Sequence, residues 1–590
     1  MCQACGCVTG LDGMSKVEAI KAGSNHLRGA IADELAQETA TFGEESVQLL
    51  KFHGIYQQDD RDRRREARRL GLEKHHQMMV RTRIPGGIVS AAGYLAHDEI
   101  ADRWANRTLR VTTRQDFQLH GVLKGELRPV IRAINGTLLT TLGGCGDQER
   151  NIMCCPLPLK DRFRGEVLGA IAGLVRALTP TTGAYHEIWI DGEVATGSRP
   201  EVEPLYGEQY LPRKFKTAVA LEGDNCVDAY ANDLALVALR GGDGGLGAFN
   251  VMVGGGLGRT RNKPDTFAAV AQPMASVPAD RVVATSAAVV AVQRDHGDRT
   301  DRRHARLKYL IAERGLDWFR DQVQRRLDFP LDEPRPLAWP RVDDHLGWHD
   351  QDDGRLCLAL YVENGRIADT DDSRLKAALR RIVETMRPQV RLTAQQNVIL
   401  ADVRPRDREA IETLLRDHGV PRLEEMPAAL RDSMACPAWP TCGLAVAEAE
   451  RAMPSLIRQI SALVGELGLE DERISHRMTG CPNGCARPYL GDVGLVGTTL
   501  GKYDVFLGGD PAGTRLSQLY GESIPLQDVV ALLRAPLTAF RDERRPGEPF
   551  GTWCHRLGVD RLRIRFGVRP ATPRLRVTRG SGLAGAAGGA

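Results

Sequence analysis

The 590-residue chain lacks three features that commonly reveal the class of a protein. Its 79 basic and 76 acidic side chains leave a formal net charge of only +3, so charge gives no sign of a nucleic-acid partner. No apolar run approaches the length of a membrane-spanning helix, and the opening segment MCQACGCVTG has neither the charged region nor the apolar core of a secretory signal. These absences predict a cytoplasmic protein that binds neither nucleic acid nor a membrane.

Cysteine, by contrast, is plentiful, with 13 residues in the chain. An odd number of cysteines in a large chain without an export signal favours a reducing compartment and metal chemistry over a disulfide framework. The composition, 42% hydrophobic and 26% charged, is that of an ordinary globular protein. A chain of this length is expected to divide into three or four domains.

Four of these cysteines form two closely spaced pairs towards the C-terminal end. Cys436 and Cys442 lie in MACPAWPTCGLAVAEAE, and Cys481 and Cys485 lie in MTGCPNGCARPYLGDVGLVG. Two such pairs can close around one centre, and thiolates favour zinc, copper(I) or an iron–sulfur cluster over hard cations. Structural zinc usually uses C-x2-4-C knuckles, so the wider C-x5-C spacing favours a redox cluster. A structural zinc site and four separate buried thiols stay open as alternatives.

A strand–helix–strand pattern occurs twice in the chain. The first copy comprises RTRIPGG (81–87), SAAGYLAHDEIADRWA (90–105) and TLRVTTRQDFQLHG (108–121), and the second comprises LCLALYVENGRI (356–367), SRLKAALRRIVETM (373–386) and QVRLTAQQNVILADV (389–403). Matching positions in the last segments are Arg110, Thr112 or Thr113, and Gln115 in the first copy, and Arg391, Thr393 and Gln396 in the second. The repeat predicts two half-domains related by pseudo-twofold symmetry, with a site at their junction.

A glycine-rich segment between the two copies, GDGGLG (242–247), formally matches the dinucleotide-binding pattern G-x-G-x-x-G. That fingerprint requires a helix after the glycines, whereas the following residues AFNVMVGG have the composition of a strand. We therefore interpret the segment as a hairpin turn that does not bind a nicotinamide. A redox protein without its own dinucleotide or flavin domain has to receive its electrons from another protein.

Basic residues recur beside these motifs. Arg83 lies in the predicted strand RTRIPGG, Arg150 lies in DQERNIMCC, and Lys214 and Lys216 lie in YLPRKFKTAV. Strand alternation puts both ammonium groups on one face and Phe215 on the other, an arrangement that makes sense if an anion lies between the two lysines. The alternative is a pair of ordinary exposed lysines.

A second basic group lies in RTLRVTTRQDFQLHG, where alternation along one strand would align Arg110 with Arg114, and His120 follows. Arginine binds carboxylates through two parallel hydrogen bonds, so guanidinium groups near a redox centre would suit a carboxylate-rich cofactor.

On these motifs the chain resembles the hemoprotein (beta) subunits of assimilatory sulfite reductases, within the siroheme and [4Fe–4S] sulfite/nitrite reductase family. The resemblance covers about residues 15–570 and also rests on SNHLRGAIADEL (24–35), FHGIYQQDDRD (52–62), FNVMVGGGL (249–257), QRDHGDRTDRRHARLKY (293–309) and ENGRI (363–367). It implies an α+β, multidomain fold with pseudo-twofold duplicated ferredoxin-like β-α-β half-domains and two α/β siroheme/iron–sulfur domains.

The resemblance also implies a division of the chain between two terminal segments, a leader and a tail, that are predicted from their composition and have no counterpart in the family. The expected segments are a disordered Cys/Gly leader (1–13), an N-terminal arm for partner docking (14–75), a first ferredoxin-like half-domain (76–148), a first sulfite/nitrite reductase domain with the anion-binding basic residues (149–340), a second ferredoxin-like half-domain (341–425), a second sulfite/nitrite reductase domain with the cluster cysteines (426–570) and a disordered tail (571–590).

Roles for individual residues follow from the same resemblance. Cys436, Cys442, Cys481 and Cys485 would hold the [4Fe–4S] cluster, and Cys485 would also bridge to the siroheme iron. The substrate residues would be Arg83, Arg150, Lys214 and Lys216, which hold sulfite and supply protons. Further cofactor-binding residues would be Arg114, His120 and Gln396.

The implied reaction is the six-electron reduction of sulfite to sulfide. FHGIYQQDDRD resembles the branch whose electron donor is an NADPH-dependent flavoprotein subunit, and ferredoxin is the alternative donor. Lys216 favours sulfite over nitrite, because the nitrite-reducing branch typically carries asparagine at this position. From a different class, a non-catalytic iron–sulfur electron carrier or sensor would leave the four basic residues without a role.

Overall fold

The computed structural model describes residues 13–180, 187–190, 193–197 and 202–569. The predicted leader, apart from Gly13, and the predicted tail at 571–590 lie outside the described residues. Among the helices of the described segments, none combines the length and the apolar character needed to cross a membrane.

The described residues contain both strands and helices throughout. The strands are β1 (Ile55–Asp59), β2 (His76–Thr82), β3 (Ile88–Val89), β4 (Leu109–Val111), β5 (Phe117–Val122), β6 (Met153–Cys154), β7 (Glu187–Ile190), β8 (Glu193–Gly197), β9 (Thr217–Leu221), β10 (Leu234–Arg240), β11 (Leu246–Val253), β12 (Gln272–Pro278), β13 (Gly347–Asp350), β14 (Leu356–Leu360), β15 (Arg366–Ile367), β16 (Gln389–Leu392), β17 (Val398–Val403), β18 (Ser433–Ala435), β19 (His476–Thr479), β20 (Val493–Thr499), β21 (Lys502–Leu507) and β22 (Gln518–Pro525). The helices are α1 (Lys16–Ala22), α2 (Ile31–Leu35), α3 (Glu44–Leu50), α4 (Arg64–Arg69), α5 (Ala91–Trp104), α6 (Leu127–Asn135), α7 (Arg162–Leu178), α8 (Val282–His296), α9 (Leu307–Arg314), α10 (Leu316–Gln324), α11 (Leu375–Met386), α12 (Arg408–Asp417), α13 (Ala428–Arg431), α14 (Met453–Glu466), α15 (Val529–Glu543), α16 (Phe550–Leu557) and α17 (Val559–Arg565).

All of these strands except β7 and β8, which pair with each other, form two pairs of matching sheets. The first half-domain sheet has the order β1-β2-β5-β4-β15, and the second half-domain sheet repeats it as β13-β14-β17-β16-β3. The first central sheet, β12-β11-β10-β9-β6, is likewise matched by the second central sheet, β22-β21-β20-β19-β18. The four five-stranded sheets of the described residues are therefore two copies of one arrangement, and the predicted α+β fold with two ferredoxin-like halves is confirmed.

The two half-domain sheets exchange their last strands. β3 comes from the first copy but pairs with β16, and β15 comes from the second copy but pairs with β4. Each exchange follows a tight turn in which glycine adopts a positive φ, 72° at Gly87 and 77° at Gly365. A Cβ atom on Gly87 would clash with the carbonyl oxygen of Leu392, and one on Gly365 would clash with that of Val111. Glycine therefore allows each half to cross close to the backbone of the other.

The segment 108–121 is two strands and not one, so the single predicted strand is wrong, as it is for 389–403. The chain turns between β4 and β5 because Gln115 has φ 56° and the Thr112 hydroxyl accepts hydrogen bonds from the N–H groups of Arg114 and Asp116, both over 3.1 Å. Arg114 consequently lies in the turn and is not aligned with Arg110 on a strand face.

The glycine-rich segment forms a hairpin, as predicted. β10 and β11 pair antiparallel on either side of it, and the N–H of Gly241 donates to the carbonyl of Gly245 over 2.8 Å. No helix N-terminus follows these glycines, so the phosphate-binding geometry of a dinucleotide fold is missing at this place.

Candidate redox metal centre

The four cysteines of the two C-terminal pairs follow the ends of neighbouring strands. Cys436 comes directly after β18, and Cys481 lies two residues after the end of β19. β18 and β19 run parallel, so their carboxyl ends lie at the same edge of the second central sheet. The N–H of Gly480 donates to the sulfur of Cys436 over 3.4 Å, which connects the two pairs.

The loop that carries Cys442 folds back over Gly480. The N–H groups of Val446 and Ala447 both donate to the Gly480 carbonyl, over 2.8 and 3.1 Å. A side chain at position 480 would clash with the carbonyl oxygen of Ala447. The close approach of two backbones, not an unusual φ, therefore requires glycine here, and it brings both cysteine pairs together.

Burial and mutual repulsion oppose ionisation of these thiols. Burial, followed by the charges of Cys485 and Cys481, raises the pKa of Cys436 well above its usual range. Burial, followed by Cys485, also raises the pKa of Cys481 to about 12 and that of Cys442 in the same direction. Thiolates at these positions need a strong positive charge among them, which a metal centre supplies.

The spacing of the four thiols argues against a single ion. In the described part of the chain, no three of these sulfurs lie within 4.8 Å of one another. A tetrahedral zinc site with bonds of about 2.3 Å would hold its sulfurs about 3.8 Å apart. The four thiols are therefore not gathered at the spacing of a single tetrahedral zinc site.

Cys485 lies where the turns of the two half-domains meet. The Thr113 hydroxyl donates to the Cys485 carbonyl over 3.0 Å, and Arg487 donates to the carbonyls of Thr113 and Ala394 over 3.1 and 2.7 Å. Thr113 belongs to the turn between β4 and β5, and Ala394 belongs to its counterpart between β16 and β17. Both halves of the fold therefore position Cys485, which the resemblance marks as the bridging ligand. The side chain of Cys485 is exposed.

Two of the four predicted substrate residues converge on Cys485. Burial lowers the pKa of Lys214, and the charge of the Cys485 thiol opposes that shift. The pKa of Arg150 is raised against burial by Cys145 above all, and Cys485 contributes in the same direction. Arg150 is buried, donates to the carbonyl of Gly144 over 2.8 Å and keeps its Nε without a partner. A guanidinium and an ammonium group are thus close enough to the most exposed of the four cysteines to interact with its charge.

The two lysines repel each other. Phe215 is buried and pairs with Glu149 in an isolated β-bridge. Lys214 and Lys216, on either side of Phe215, are partly exposed and lie just before β9. Burial, then the nearby Arg213, lowers the pKa of Lys214 to about 7. Burial, then Lys214, lowers the pKa of Lys216 well below its usual range. Neither ammonium donates a hydrogen bond to another described residue, so an anion between them would relieve the repulsion.

Arg83 lies one residue beyond the end of β2, in a bridge with Thr140, and not inside a strand as predicted. Its Nη1 donates to the Thr179 hydroxyl over 2.7 Å, while its Nε and Nη2 are buried without partners. Burial lowers the pKa of this guanidinium, and the nearby Glu149 opposes that shift. These two buried nitrogens of Arg83 therefore have no hydrogen-bond acceptor among the described residues.

The three predicted cofactor residues differ in what they contact. Arg114 donates to Asn232, over 2.8 Å, and to two backbone carbonyls, which leaves its Nε without a partner. Both ring nitrogens of His120 are buried without partners, and burial lowers its pKa well below the usual range. Gln396 donates to the carbonyl of Ala435 over 3.0 Å, directly before Cys436, and its oxygen has no partner.

Sequence reasoning missed the buried ion pairs around Glu450. This carboxylate accepts from Arg110 and, over 2.6 and 3.0 Å, from Arg366, while its N–H donates to the Cys436 carbonyl over 3.1 Å. Burial opposes ionisation, but the two arginines lower the pKa of Glu450 to about 2. Arg110 was recognisable as part of the repeat, whereas no local pattern marks Glu450.

Contacts from the N-terminal segment were also missed. Arg61 stacks over Trp439 at 3.6 Å and donates to the carbonyls of Cys442 and Ala445 over 3.0 and 2.5 Å. Tyr56 forms a hydrogen bond with the Cys145 thiol, and the guanidinium of Arg150 helps to lower the pKa of that thiol to about 6 against burial. Arg61, at the end of the motif FHGIYQQDDRD (52–62), therefore covers the loop that carries Cys442.

The donor set suits a carboxylate-rich cofactor. The buried guanidinium nitrogens without hydrogen-bond partners include those of Arg83, Arg114, Arg150 and Arg477. Buried donors in folded proteins nearly always have acceptors, so this concentration indicates a missing anionic partner. The residues therefore fit the cluster and siroheme that the family resemblance implies.

Family models match most of the chain. Residues 174–331 and 428–570 match the nitrite and sulphite reductase 4Fe-4S domain, and residues 71–136 and 349–418 match the nitrite/sulfite reductase ferredoxin-like half domain. The chain belongs to the nitrite and sulfite reductase family. The predicted family, its enzymatic nature and its cofactors, a [4Fe–4S] cluster and siroheme, are confirmed.

Individual relatives agree with this membership. A ferredoxin-type sulfite reductase of Synechococcus elongatus is 45% identical over 96% of this chain and 93% of its own length. An NADPH sulfite reductase hemoprotein beta-component of Acidithiobacillus ferrooxidans is 45% identical over 92% of this chain and 96% of its own. The solved structure of the Mycobacterium tuberculosis NirA protein, 23% identical, covers 94% of this chain and 98% of its own with a TM-score of 0.73, which shows a shared fold.

Proposed function

We propose that this protein is an assimilatory sulfite reductase that reduces sulfite to sulfide with six electrons. The observation that carries the proposal is the convergence of Arg150 and Lys214 on Cys485, at the junction of the two halves. A cluster-ligand candidate and two cations that can hold an oxyanion meet at one place. An electron carrier or sensor would have no use for these cations.

The basic residues would bind the substrate and deliver protons. Sulfite carries negative charge, and its three oxygens leave as water, so both electrostatic attraction and proton donors are required. Arg83 and Arg150 supply fixed positive charge, whereas Lys214, with a pKa lowered to about 7, can release a proton near neutral pH. Lys216, directly before β9, adds a second ammonium group two residues along the chain.

Cysteine and basic side chains of this site are the candidates to bind the two cofactors. Cys436, Cys442, Cys481 and Cys485 would bind the [4Fe–4S] cluster, and Cys485 would also contact the siroheme iron. When bound, the pair supplies electrons one at a time to the sulfur of the substrate. Siroheme carboxylates would be bound by Arg114 and its unpartnered neighbours, with His120 and Gln396 as further contacts.

The electron donor would dock beside the Cys442 loop. Cys442 is only half-buried, and the neighbouring Leu444 and Val446 expose 68% and 41% of their surface. Such apolar side chains suit a transient partner surface. An NADPH-dependent flavoprotein subunit is the donor we favour, ferredoxin is the alternative, and relatives of both types are known. We place this reaction in the cytoplasm.

The proposed domain division follows the same architecture. The N-terminal arm, residues 14–75, would contribute to docking, because Arg61 covers the Cys442 loop. The half-domains would span 76–148 and 341–425, and the two reductase domains would span 149–340 and 426–570. β1 lies within the arm but completes the first half-domain sheet, so the arm is attached to the fold.

Cofactor analysis and a turnover assay test the function. The purified protein should contain iron and acid-labile sulfide, absorb as a siroheme protein, and oxidise reduced viologen with sulfite faster than with nitrite. Cys485→Ser should lose both cofactors and turnover, whereas Cys554→Ser, a buried cysteine remote from the centre, should keep them. Four irons without siroheme absorption would support the carrier class, and normal cluster content in Cys485→Ser would overturn the assignment of that cysteine.

A further inference from the structure

A second group of metal-ligating side chains lies beside the first central sheet, after the ends of β6 and β9. The ligand atoms of Cys155, Asp224, Cys226 and His345 all lie within 4.8 Å of one another, and the described residues contain no other such group. All four residues are buried, with exposures from 1% to 6%. Burial distinguishes the group from the exposed acidic clusters that are common on protein surfaces.

Its distances fit the edges of a small tetrahedron. The Cys155 sulfur is 3.3 Å from Oδ2 of Asp224 and 3.7 Å from Nε2 of His345, and these last two atoms are 3.1 Å apart. Zinc bonds of about 2.0 to 2.3 Å in tetrahedral geometry place such ligands about 3.3 to 3.6 Å from one another. The four atoms could therefore share one ion with small adjustments, and no cluster would fit between them.

The duplication of the fold explains why these residues meet. Gln115 donates to the carbonyl of Cys154 over 2.7 Å, and its counterpart Gln396 donates to that of Ala435 over 3.0 Å. Cys155 thus takes the position in the first half that Cys436 takes in the second. Asp224 and Cys226 follow β9, just as Cys481 and Cys485 follow β19. The edge that carries the redox centre in one half carries a smaller ligand group in the other.

Charge and chemical type favour a borderline-soft divalent cation. Two thiolates, a carboxylate and a neutral imidazole would leave a zinc complex with one negative charge. Arg391 is buried and donates to the carbonyl of Pro156, next to Cys155, over 3.2 Å, so a positive charge lies nearby. Calcium and magnesium prefer oxygen ligands and would not select two cysteines.

We propose that Cys155, Asp224, Cys226 and His345 bind one zinc ion, separate from the iron–sulfur centre. His345 belongs to the segment between α10 and β13, whereas the other three residues follow β6 and β9 of the first central sheet. The ion would fasten this connecting segment to the domain. The proposal concerns structure and does not depend on the reduction of sulfite.

Metal analysis of the holoprotein tests the site directly. Protein from zinc-replete cells should contain one zinc per chain in addition to its iron. Zinc K-edge absorption, which iron does not obscure, should show two sulfurs at about 2.3 Å and two nitrogen or oxygen ligands at about 2.0 Å. Substoichiometric zinc, or a shell of oxygen and nitrogen alone, would overturn the proposal.

Variants separate this site from adventitious zinc. Cys226→Ala and, independently, the milder His345→Asn should lose the zinc, keep iron and siroheme absorption, and melt at a lower temperature. Cys554→Ala removes an equally buried thiol elsewhere and should retain the zinc. Zinc that persists in both site variants, or a Cys155–Cys226 disulfide found by mass spectrometry of the unreduced protein, contradicts the proposal.

Discussion

The hydroxyl of Thr113 donates a hydrogen bond to the backbone carbonyl of Cys485 over 3.0 Å, between residues 372 positions apart in the chain. Thr113 lies in a turn of the first half-domain, and Cys485 lies beyond β19 of the second central sheet. Arg487 strengthens the connection, because it donates to the carbonyl of Thr113. The position of Cys485 therefore depends on the packing of one half of the duplicated fold against the other.

Removal of this hydroxyl should weaken turnover without removing the cofactors. Thr113→Val keeps the shape of the side chain but leaves the Cys485 carbonyl without its donor, a loss of about 1 kcal/mol that corresponds to a several-fold effect. We expect sulfite turnover to fall about three- to tenfold, at unchanged iron and siroheme content. Thr113→Ser retains the hydroxyl and should behave as wild type. Equal loss in both variants would show that the methyl group, and not the hydrogen bond, matters.

The pKa of Lys214 predicts a pH dependence. A lysine is cationic below its pKa, so with a value of about 7 it binds an anion and donates a proton at lower pH and loses both abilities as the pH rises through about 7. The kcat/KM for sulfite should decline over this range. Lys214→Arg keeps its charge to much higher pH and should move the decline upward. Lys214→Ala should lose about a hundredfold below pH 7, and its difference from wild type should shrink as the pH rises above 7.

Cofactor content decides how the Lys214 variants are interpreted. Siroheme absorption and iron content should stay normal in both of them. Loss of siroheme would mean that the lysine holds the cofactor and not the substrate, and an unaltered pH profile in Lys214→Arg would assign the decline to another group.

Lys216 should control the choice between sulfite and nitrite. It lies close enough to Lys214 for that charge to lower its pKa, and the family resemblance implies asparagine at this position in nitrite-reducing members. Lys216→Asn removes one positive charge while it keeps a polar side chain. The ratio of nitrite to sulfite turnover with reduced viologen should rise about tenfold or more. Lys51→Asn, a lysine outside the substrate group, provides the control, and an unchanged ratio in Lys216→Asn would refute the role.

Much of this architecture could be predicted, because local patterns report local structure. The two cysteine pairs and the repeated Arg–Thr–Gln positions are short-range signals, and the hairpin at 242–247 follows from its glycines. The exchanged strands β3 and β15 have two residues each, too few for any periodicity to emerge. Their positions depend on contacts across the duplication, such as Gly87 against Leu392, which no window of sequence contains.

The redox metal centre likewise combines residues that the sequence reveals with residues that only the folded chain brings together. Cys436, Cys442, Cys481 and Cys485 could be found by spacing, whereas their partners could not. Asp228 pairs with both Arg477 and Arg487, and Cys155 meets His345 from 190 positions away. Single charged residues carry no pattern, so only the folded chain reveals which of them are paired and which retain unpartnered donors.

Glu450 should stabilise the centre at neutral pH and cease to do so in acid. Its carboxylate joins Arg110 of the first half to Arg366 of the second, and these charges lower its pKa to about 2 against an ordinary value of 4.5. The unfolded chain binds a proton near pH 4.5 but the folded chain only near pH 2, so this stabilisation is complete above pH 4.5 and disappears as the pH falls towards 2. Glu450→Gln leaves the buried guanidinium of Arg110 and the partly buried one of Arg366 without a counter-charge, a loss of about 3 kcal/mol. We expect the melting temperature of the variant to lie several degrees below wild type at pH 7, with a gap that narrows as the pH falls from 4.5.

Glu448→Gln, which changes a more exposed carboxylate of the same loop, should alter the melting temperature far less. A gap for Glu450→Gln that stays constant with pH would show that shape, and not charge, is what this residue contributes.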